Sequence, residues 1–419
     1  MVPVAFAVDA QAENLTEKKM GLEEIRSFTH QNREVIMERM NREIASENLS
    51  QRKSERLPDL LSSGDGYLSQ KLPLTDDGKS SHAFRYHFNL YTEFDLYAGG
   101  THSNAIERLK KEHQLSEERL KALEQEVNLK GYVLLYDIYR NMKYQDFILK
   151  SIQLREKEYE RINQLYLNGL VLKSDLLRSK LYITDLQKDE VAIKNSIDIL
   201  SDQLCALLGM ESSQLVNPQL EGDLEYHIGE SFDELFEYAL MNSPELKIHR
   251  TSYEREEIVL KEIKSLQRPH LSLYAQYGVG SPQPYFNYKH QLGGEVGLKL
   301  SFKLSSLYKN KHKKSAQQVR IQRQATQLTD EEVKLKNTLF ELYTRYNESL
   351  LNINRALEKI DMSKESMRIL RNSYFNQQAL LIDVLESETQ SMQASFEWVE
   401  AVVDSQKYYW ALKQICGYL

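Results

Sequence analysis

The chain has 419 residues and a formal net charge of -7 at pH 7, so it lacks the excess of positive charge that is typical of nucleic-acid-binding proteins. Cys205 and Cys416 do not form the spacing of a metal or redox site, and we expect both to be packed thiols in helices. The sequence has no run of about 18 consecutive apolar residues, which excludes a typical transmembrane helix but not a transmembrane β-strand.

The start of the chain, MVPVAFAVDAQA, carries small residues two apart at Ala5 and Ala7 and again at Ala10 and Ala12. Such spacing occurs at the end of export signals, although neither a charged start nor a full apolar core is present here. Residues 1–16 are therefore either the remnant of a signal or a disordered start.

Two pairs of β-strands are predicted. Residues 17–55 and 229–266 have a helical pattern, and each segment is followed by a proline, Pro58 or Pro269, where a strand can begin. Each proline is followed by a short β-like run, then by a loop at about 66–84 or 277–293, and then by a second run in which apolar and polar residues strictly alternate. These runs predict strands at about 57–67, 85–97, 269–279 and 294–305. The residues that share one apolar strand face, and that we expect to face lipid, are Phe88, Leu90, Phe94, Leu96, Val296, Leu298, Leu300 and Phe302.

Very long helices follow each strand pair. Residues 74–217 and 285–419 contain no proline, and helices over about 100–165 and 306–373 would each be roughly 100 Å long at 1.5 Å per residue. The helices that return from them repeat apolar residues at spacings of four and three, which indicates coiled-coil packing. The residues in this phase are Ile193, Ile197, Leu200, Leu204 and Leu207, and then Ala401, Ser405, Tyr408, Leu412 and Ile415.

One stretch occurs twice. YLNGLVLKSDLL at 166–177 aligns without a gap with YFNQQALLIDVL at 374–385, and the same register places Gly209 on Gly417. Each copy interrupts a helical pattern with small or polar residues and resumes at an Asp, so we interpret each as a turn between two helices. The chain is therefore predicted to be a duplicated half-protein, with repeats at 17–210 and 229–419 joined by a linker at 211–228.

This arrangement resembles the TolC family of outer-membrane efflux proteins over nearly the whole chain. The resemblance rests on the paired turns, the helix openings SFTHQNREV and YALMNSPEL, the two prolines, the alternating strands, and the pairs Leu208-Gly209 and Cys416-Gly417. It implies a mostly α fold with a small β part: a long antiparallel coiled-coil α-barrel, plus four strands per chain in a trimeric twelve-strand transmembrane β-barrel.

The family resemblance also implies a function. Members are homotrimeric, passive ducts in the outer membrane of Gram-negative bacteria. They extend into the periplasm and carry drugs or other exported molecules from an inner-membrane transporter and its periplasmic adaptor, in tripartite efflux or type I secretion.

Site residues follow from the paired turns. Asp383 and Glu386 lie three apart and share a helix face, which in the family lines the pore entrance. Two departures stand out: Gln377 occupies a position where the family usually has Gly, and Ala379 occupies the position of an Arg that links to Asp175. The residues expected to dock the adaptor are Tyr166, Asn168, Gly169, Leu172, Ser174, Asp175, Tyr374, Asn376 and Gln377.

Motifs of catalysis are absent from the sequence: there is no P-loop, GxSxG, HExxH or Cys/His cluster. We therefore expect no enzyme, no cofactor, no bound metal and no catalytic residue. The alternative function is structural, either a soluble coiled-coil scaffold or a periplasmic adaptor protein.

Overall fold

The computed structural model describes residues 16–71, 81–210, 214–220, 228–280 and 291–418. Contacts divide the chain into two compact units. The first contains Met1–Glu38, Leu120–Leu246 and Glu331–Leu419, and the second contains Arg39–Arg119 and Lys247–Asp330.

Most of the described chain is helical, as expected. The short helices are α1 (Leu22–Phe28), α2 (Arg33–Ser54), α5 (Phe232–Asn242), α6 (Pro244–Ser265) and α7 (Ser306–Lys309). The long ones are α3 (Thr101–Leu167), α4 (Lys173–Leu207), α8 (Lys311–Phe375) and α9 (Leu381–Ile415). The order of a 67-residue helix, a turn and a 35-residue helix in the first half recurs as 65 and 35 residues in the second. No helix of the described residues is both long and apolar enough to cross a membrane.

The second unit contains a four-stranded antiparallel sheet. Its strands are β2 (Asp59–Lys71), β3 (Ser81–Tyr97), β5 (His270–Gly280) and β6 (Gln291–Ser301), in the order β2-β3-β5-β6. Strands β2 and β5 begin directly after Pro58 and Pro269, which confirms that prediction. Residues 72–80 and 281–290 of the expected loops lie outside the described residues.

The predicted strand boundaries were wrong at four places: β2 ends at Lys71 instead of 67, β3 begins at Ser81 instead of 85, and β6 spans Gln291–Ser301 instead of 294–305. Strand β2 continues past residue 67 because Gly64 and Gly66, which are typical of turns, instead make room for the rings of Phe88 and Phe84; a Cβ at either glycine would lie 3.1 Å from a ring atom. Strand β6 ends at Ser301, so Phe302 lies beyond the strand. There the backbone N–H of Ser306 donates to the carbonyl of Lys303, which turns the chain into a helix.

A second, parallel pair of strands was not predicted. Strand β1 (Thr16–Met20) pairs with β4 (Gln214–Pro218) in the first unit, where the expectation was the beginning of a helix at residue 17 and a linker at 211–228. Both strands are only five residues long, too short for a periodic pattern to be visible. Residues 1–15, 211–213 and 221–227 lie outside the described residues.

The predicted helices at 17–55 and 229–266 are each divided into two. In the first, a 3₁₀ turn at Thr29–Gln31 ends α1, and the side-chain oxygen of Asn32 accepts from the backbone N–H groups of Glu34 (2.8 Å) and Val35 (3.1 Å) to begin α2. In the second, Pro244 begins α6, since proline has no N–H to donate and suits a first helical position.

Both return helices end at a glycine that packs on the other helices of its own half. Gly209 and Gly417 have positive φ angles of 67° and 79°. A Cβ on Gly209 would lie 2.6 Å from the carbonyl oxygen of Gln31, and a Cβ on Gly417 would lie 2.7 Å from that of Asn242. Only glycine satisfies both the backbone angle and this close approach. The repeated glycine therefore fixes where each return helix meets the start of its half.

The core of the first unit is aromatic. Tyr132 and Tyr136 of α3 are fully buried, the Tyr132 ring lies 5.0 Å from that of Trp410 in an edge-to-face arrangement, and the Trp410 indole donates to the Tyr136 hydroxyl at 3.2 Å. Cys205 and Cys416 are buried and not joined in a disulfide, as expected of packed thiols. Burial raises the pKa of Cys416 to about 11.

Candidate functional site

The repeated stretches form turns between helices, as predicted. After α3, Gly169 has a φ of 73°, its N–H donates to the Tyr166 carbonyl (2.9 Å), and the Leu170 N–H donates to that of Leu165 (2.9 Å). After α8, Gln377 has a φ of 60°, and the same two bonds run from Gln377 to Tyr374 (2.9 Å) and from Gln378 to Ser373 (2.8 Å). Both are helix-ending motifs that require a left-handed residue.

Gln377 is the one non-glycine residue with a positive φ among the described residues. A side chain in the left-handed region costs roughly 1–2 kcal/mol relative to the right-handed one. The second turn therefore keeps the geometry of the first at an energetic cost.

The two turns expose a mixed apolar and polar surface. Among the predicted docking residues, Asn168, Gly169, Leu172, Ser174, Asn376 and Gln377 are exposed, and Tyr166 and Asp175 are partly buried. Leu167, Leu170 and Leu380, which were not predicted, are exposed beside them. Nothing lies within 4 Å of the position of a Cβ on Gly169, so the backbone there is open to a partner.

Tyr374 does not belong to this exposed surface. Its side chain is 8% exposed and packs with Ile162, Leu381 and Leu385, which joins the two turns in one apolar cluster. Burial, with a further contribution from the charge of Asp175, raises the pKa of Tyr374 to about 12. Its counterpart in the first copy, Tyr166, is only partly buried, so the two copies differ in how far this residue is buried.

Asp383 and Glu386, the predicted pore-entrance residues, lie in the first two turns of α9. The carboxylate of Asp383 accepts from the backbone N–H of Leu380 at 3.2 Å, an arrangement that stabilises a helix start. Glu386 is exposed. Asp383 thus has a structural contact within its own chain, whereas Glu386 lies at the surface.

A cluster of buried charged side chains lies in the helices that the two turns join, and it was not predicted from the sequence. The Arg155 guanidinium ion-pairs with Glu388 and donates to Glu158 at 3.0 Å, while Glu158 pairs with Arg371 at 2.6 Å. Arg155, Glu158 and Glu388 are all buried, and together the four side chains connect α3, α8 and α9. Burial lowers the pKa of Arg155. The sequence does contain a signal, since Arg155 continues the spacing of Ile148 and Ile152 where an apolar residue is expected.

The four-stranded sheet has one apolar face. The register pairs Phe88 with Val279, Phe94 with Leu273, and Leu273 with Leu298, and paired residues of antiparallel strands point to the same side. Seven of the eight predicted lipid-facing residues lie in these strands and are exposed; the eighth, Phe302, is exposed just past the end of β6. Further exposed apolar residues on the same face are Leu60, Leu68, Phe84, Tyr277 and Leu292.

The opposite face is polar and internally connected. Glu93 accepts a hydrogen bond from Ser272 (2.6 Å) and one from the Lys299 ammonium (3.2 Å). Gln276 of β5 donates a hydrogen bond to Glu295, its paired residue on β6, at 2.7 Å. Polar and apolar side chains thus alternate along each strand and lie on opposite faces of the sheet.

Both edges of this sheet are open within the described residues, because β2 pairs only with β3 and β6 only with β5. The described residues also contain no group of three or more His, Cys, Asp or Glu side chains that could hold a metal ion.

Several solved structures share this architecture. A membrane protein from Pseudomonas aeruginosa superposes with a TM-score of 0.81 at 14% identity, covering 94% of this chain and 90% of that one. The outer membrane protein VceC from Vibrio cholerae gives 0.79 at 16% identity over 94% and 96% of the two chains. The open MtrE outer membrane channel from Neisseria gonorrhoeae gives 0.76 at 14% identity over 94% and 88%. The chain has the fold of outer-membrane channels.

This likeness is one of structure, since no protein-family model and no curated protein sequence matches the chain. It confirms, at the level of the fold, the resemblance to the TolC family seen in the sequence. More than nine-tenths of this chain is covered in each of these comparisons.

Proposed function

We propose that the chain is one subunit of a passive outer-membrane exit duct of the TolC family. The observation that carries the proposal is the four-stranded sheet, which exposes an apolar face on one side and a charged, hydrogen-bonded face on the other. A strand that alternates in this way suits lipid on one side and an aqueous lumen on the other. The fold shared with outer-membrane channels supports the same function.

The duct is proposed to be a homotrimer. Four strands with open edges cannot remain in lipid, where unpaired backbone groups are costly, but three copies joined edge to edge would provide twelve strands in a closed barrel. Apolar stripes on two long helices support the same assembly. On α8 the stripe is Val333, Phe340, Leu351, Met362 and Ile369, and on α4 it is Leu177, Leu181, Val191 and Ile199, all of them exposed.

The proposed location is the outer membrane of a Gram-negative bacterium, with the long helices extending into the periplasm. The named structural neighbours VceC and MtrE are outer-membrane proteins of such bacteria, which supports this location. The chain has no nucleotide-binding motif, so the energy for export of drugs or other molecules would come from an inner-membrane transporter, in tripartite efflux or type I secretion.

A periplasmic adaptor is proposed to dock on the two exposed turns, where backbone at Gly169 is uncovered. Gly169→Ala and Gly169→Leu share the same backbone strain and differ only in bulk, so Ala is the matched control. We expect Leu to lower site-specific crosslinking to the adaptor at least tenfold, while Ala retains it. Equal crosslinking of the two variants, at equal trimer yield, would contradict docking at this turn.

The alternative functions explain less. A soluble coiled-coil scaffold offers no reason for the exposed apolar face of the sheet. A periplasmic adaptor should carry a β domain between its hairpin helices, whereas here α3 and α4 are joined by residues 168–172 alone, and α8 and α9 by 376–380.

Membrane fractionation tests the proposed function. We expect the protein in the outer-membrane fraction, as a trimer whose migration on denaturing gels changes on heating. Recovery of the whole protein in a soluble fraction would overturn the proposal.

A further inference from the structure

The segment after β6 concentrates positive charge at a helix start. Lys303 precedes α7, Lys309 ends it, and α8 opens with Lys311, Lys313 and Lys314. The first turn of α8 contains no acidic residue. Cations at a helix N-terminus oppose the helix dipole, so this 65-residue helix begins with a charge pattern that disfavours it. Such an exception to a local rule indicates that the charges serve another purpose.

Three of these lysines converge on one cavity. Lys303, Lys309 and Lys313 line a cleft of about 630 Å³, together with Ser305 and Phe302. No acidic side chain of the described residues forms an ion pair with any of the three. The cleft therefore holds uncompensated positive charge.

A buried hydroxyl also lines this cleft. Ser306 is 5% exposed, and its side-chain oxygen has no hydrogen-bond partner. Leaving a buried hydroxyl unpaired is unfavourable, so a group that accepts its hydrogen bond would be stabilised there. An anion with several oxygen atoms meets the requirements of both the hydroxyl and the lysines.

Exposed apolar side chains adjoin the same segment. Phe302, Leu304, Leu307 and Tyr308 are all exposed, and they follow Leu300 at the end of the apolar sheet face. Aromatic residues and lysines beside an apolar strand face are typical of the boundary between membrane and water. A ligand for this place should thus combine an anionic head with apolar chains.

We propose that this cleft binds the phosphate head group of an anionic glycerophospholipid. Lys303, Lys309 and Lys313 neutralise the phosphate and the Ser306 hydroxyl donates to one of its oxygens, while the acyl chains lie along Leu304 and the apolar sheet face. Charge complementarity and the adjoining apolar surface select a lipid over free phosphate. This inference rests on the membrane placement proposed above.

The test measures lipid retention by the purified full-length assembly in detergent, using native mass spectrometry. The probes are a phosphatidylglycerol and a diacylglycerol with identical chains, with inorganic phosphate as competitor. The variant is Lys309→Gln with Lys313→Gln, and the control is Lys311→Gln with Lys314→Gln, which removes the same charge from the same helix start outside the cleft. We expect the variant to weaken phosphatidylglycerol binding about twenty-five-fold, since each of the two cations near the head group contributes about fivefold, and the control to weaken it much less.

Ser306→Ala provides a second variant that leaves the lysines in place, and we expect it to weaken phosphatidylglycerol binding without affecting diacylglycerol. Equal loss in variant and control, equal retention of the two lipids, or displacement of the lipid by millimolar phosphate would each overturn the proposal. Conductance in planar bilayers tests the proposed function separately. A protein that forms conducting channels but does not retain phosphatidylglycerol in preference to diacylglycerol would refute only the lipid site.

Discussion

At the scale of single residues, Gln377 is where the second half departs from the first. Its left-handed backbone is imposed by the turn, which has the same hydrogen bonds as the turn at Gly169. The strain is local, and glycine at this position would remove it.

We therefore expect Gln377→Gly to raise the free energy of unfolding by up to about 1 kcal/mol, after the greater chain entropy of glycine is subtracted. Chemical denaturation of the purified protein measures the change. Asn376→Gly is the control, because residue 376 is not among those with a positive φ and glycine there should only destabilise. A Gln377→Gly variant less stable than the wild type would show that the strain is absent.

A second prediction for single residues concerns cation selectivity and the carboxylates of Asp383 and Glu386. In a threefold assembly each would be repeated three times around the mouth, where close like charges attract cations. Replacing both with Ala should reduce cation selectivity and block by multivalent cations in bilayer recordings. Unchanged selectivity in the double variant would leave Asp383 only its observed contact with Leu380.

Sequence reasoning succeeded for residues whose backbone dictates their identity and failed for those defined by packing. Pro58 and Gly169 could be assigned because a strand start and a left-handed turn restrict residue choice. The burial of Tyr374 and the cluster around Arg155 depend on contacts between helices far apart in sequence. The spacing from Ile148 and Ile152 places Arg155 on the inward face of its helix, but no local pattern identifies the residues that contact it.

At the scale of elements, the glycines that end α4 and α9 define how each half closes. Gly209→Ala and Gly417→Ala would each force a Cβ against a carbonyl oxygen and also strain the backbone. We expect each to lower the free energy of unfolding by about 2 to 4 kcal/mol. Gly169→Ala has the same kind of backbone strain but open space, so it should cost only about 1 kcal/mol. Equal losses at all three positions in denaturant titrations would contradict the packing argument.

Two adjacent residues of β6 allow a matched test of the two sheet faces. Leu298 is 66% exposed on the apolar face, and its neighbour Lys299 contacts Glu93 on the polar face. Leu298→Arg should cost about 2 to 4 kcal/mol near the membrane midplane and sharply reduce the yield of heat-modifiable trimer. Lys299→Gln, which adds no like charge beside Glu93, should assemble nearly normally. Similar trimer yields would mean that Leu298 does not face lipid.

The presence of a helix or strand could be predicted where its sequence pattern is long, but the residues at which it begins and ends could not. The long helices follow from apolar spacing over many turns, and the sheet from alternation over nine residues. The pair β1 and β4 is held by residues almost 200 positions apart and has no pattern of its own. The breaks before α2 and α6 depend on single capping residues.

At the scale of the whole molecule, the chain carries surfaces that a single copy leaves uncovered. Within the described residues the edges of β2 and β6 are open and the apolar stripes of α4 and α8 are exposed, which is typical of surfaces that pair with another chain. In the proposed homotrimer, identical copies would cover these surfaces. We interpret the similar element order of residues 17–210 and 229–419 as a duplication, and each half carries one open sheet edge and one apolar stripe.

The central claim is that these copies enclose a continuous aqueous duct. Planar-bilayer recording of the purified protein tests it most directly. The account predicts discrete unitary conductance steps from the wild type, and far fewer insertions at the same protein concentration for Leu298→Arg than for Lys299→Gln. A correctly folded wild-type protein that produces no steps, or that only permeabilises bilayers irregularly, would contradict it.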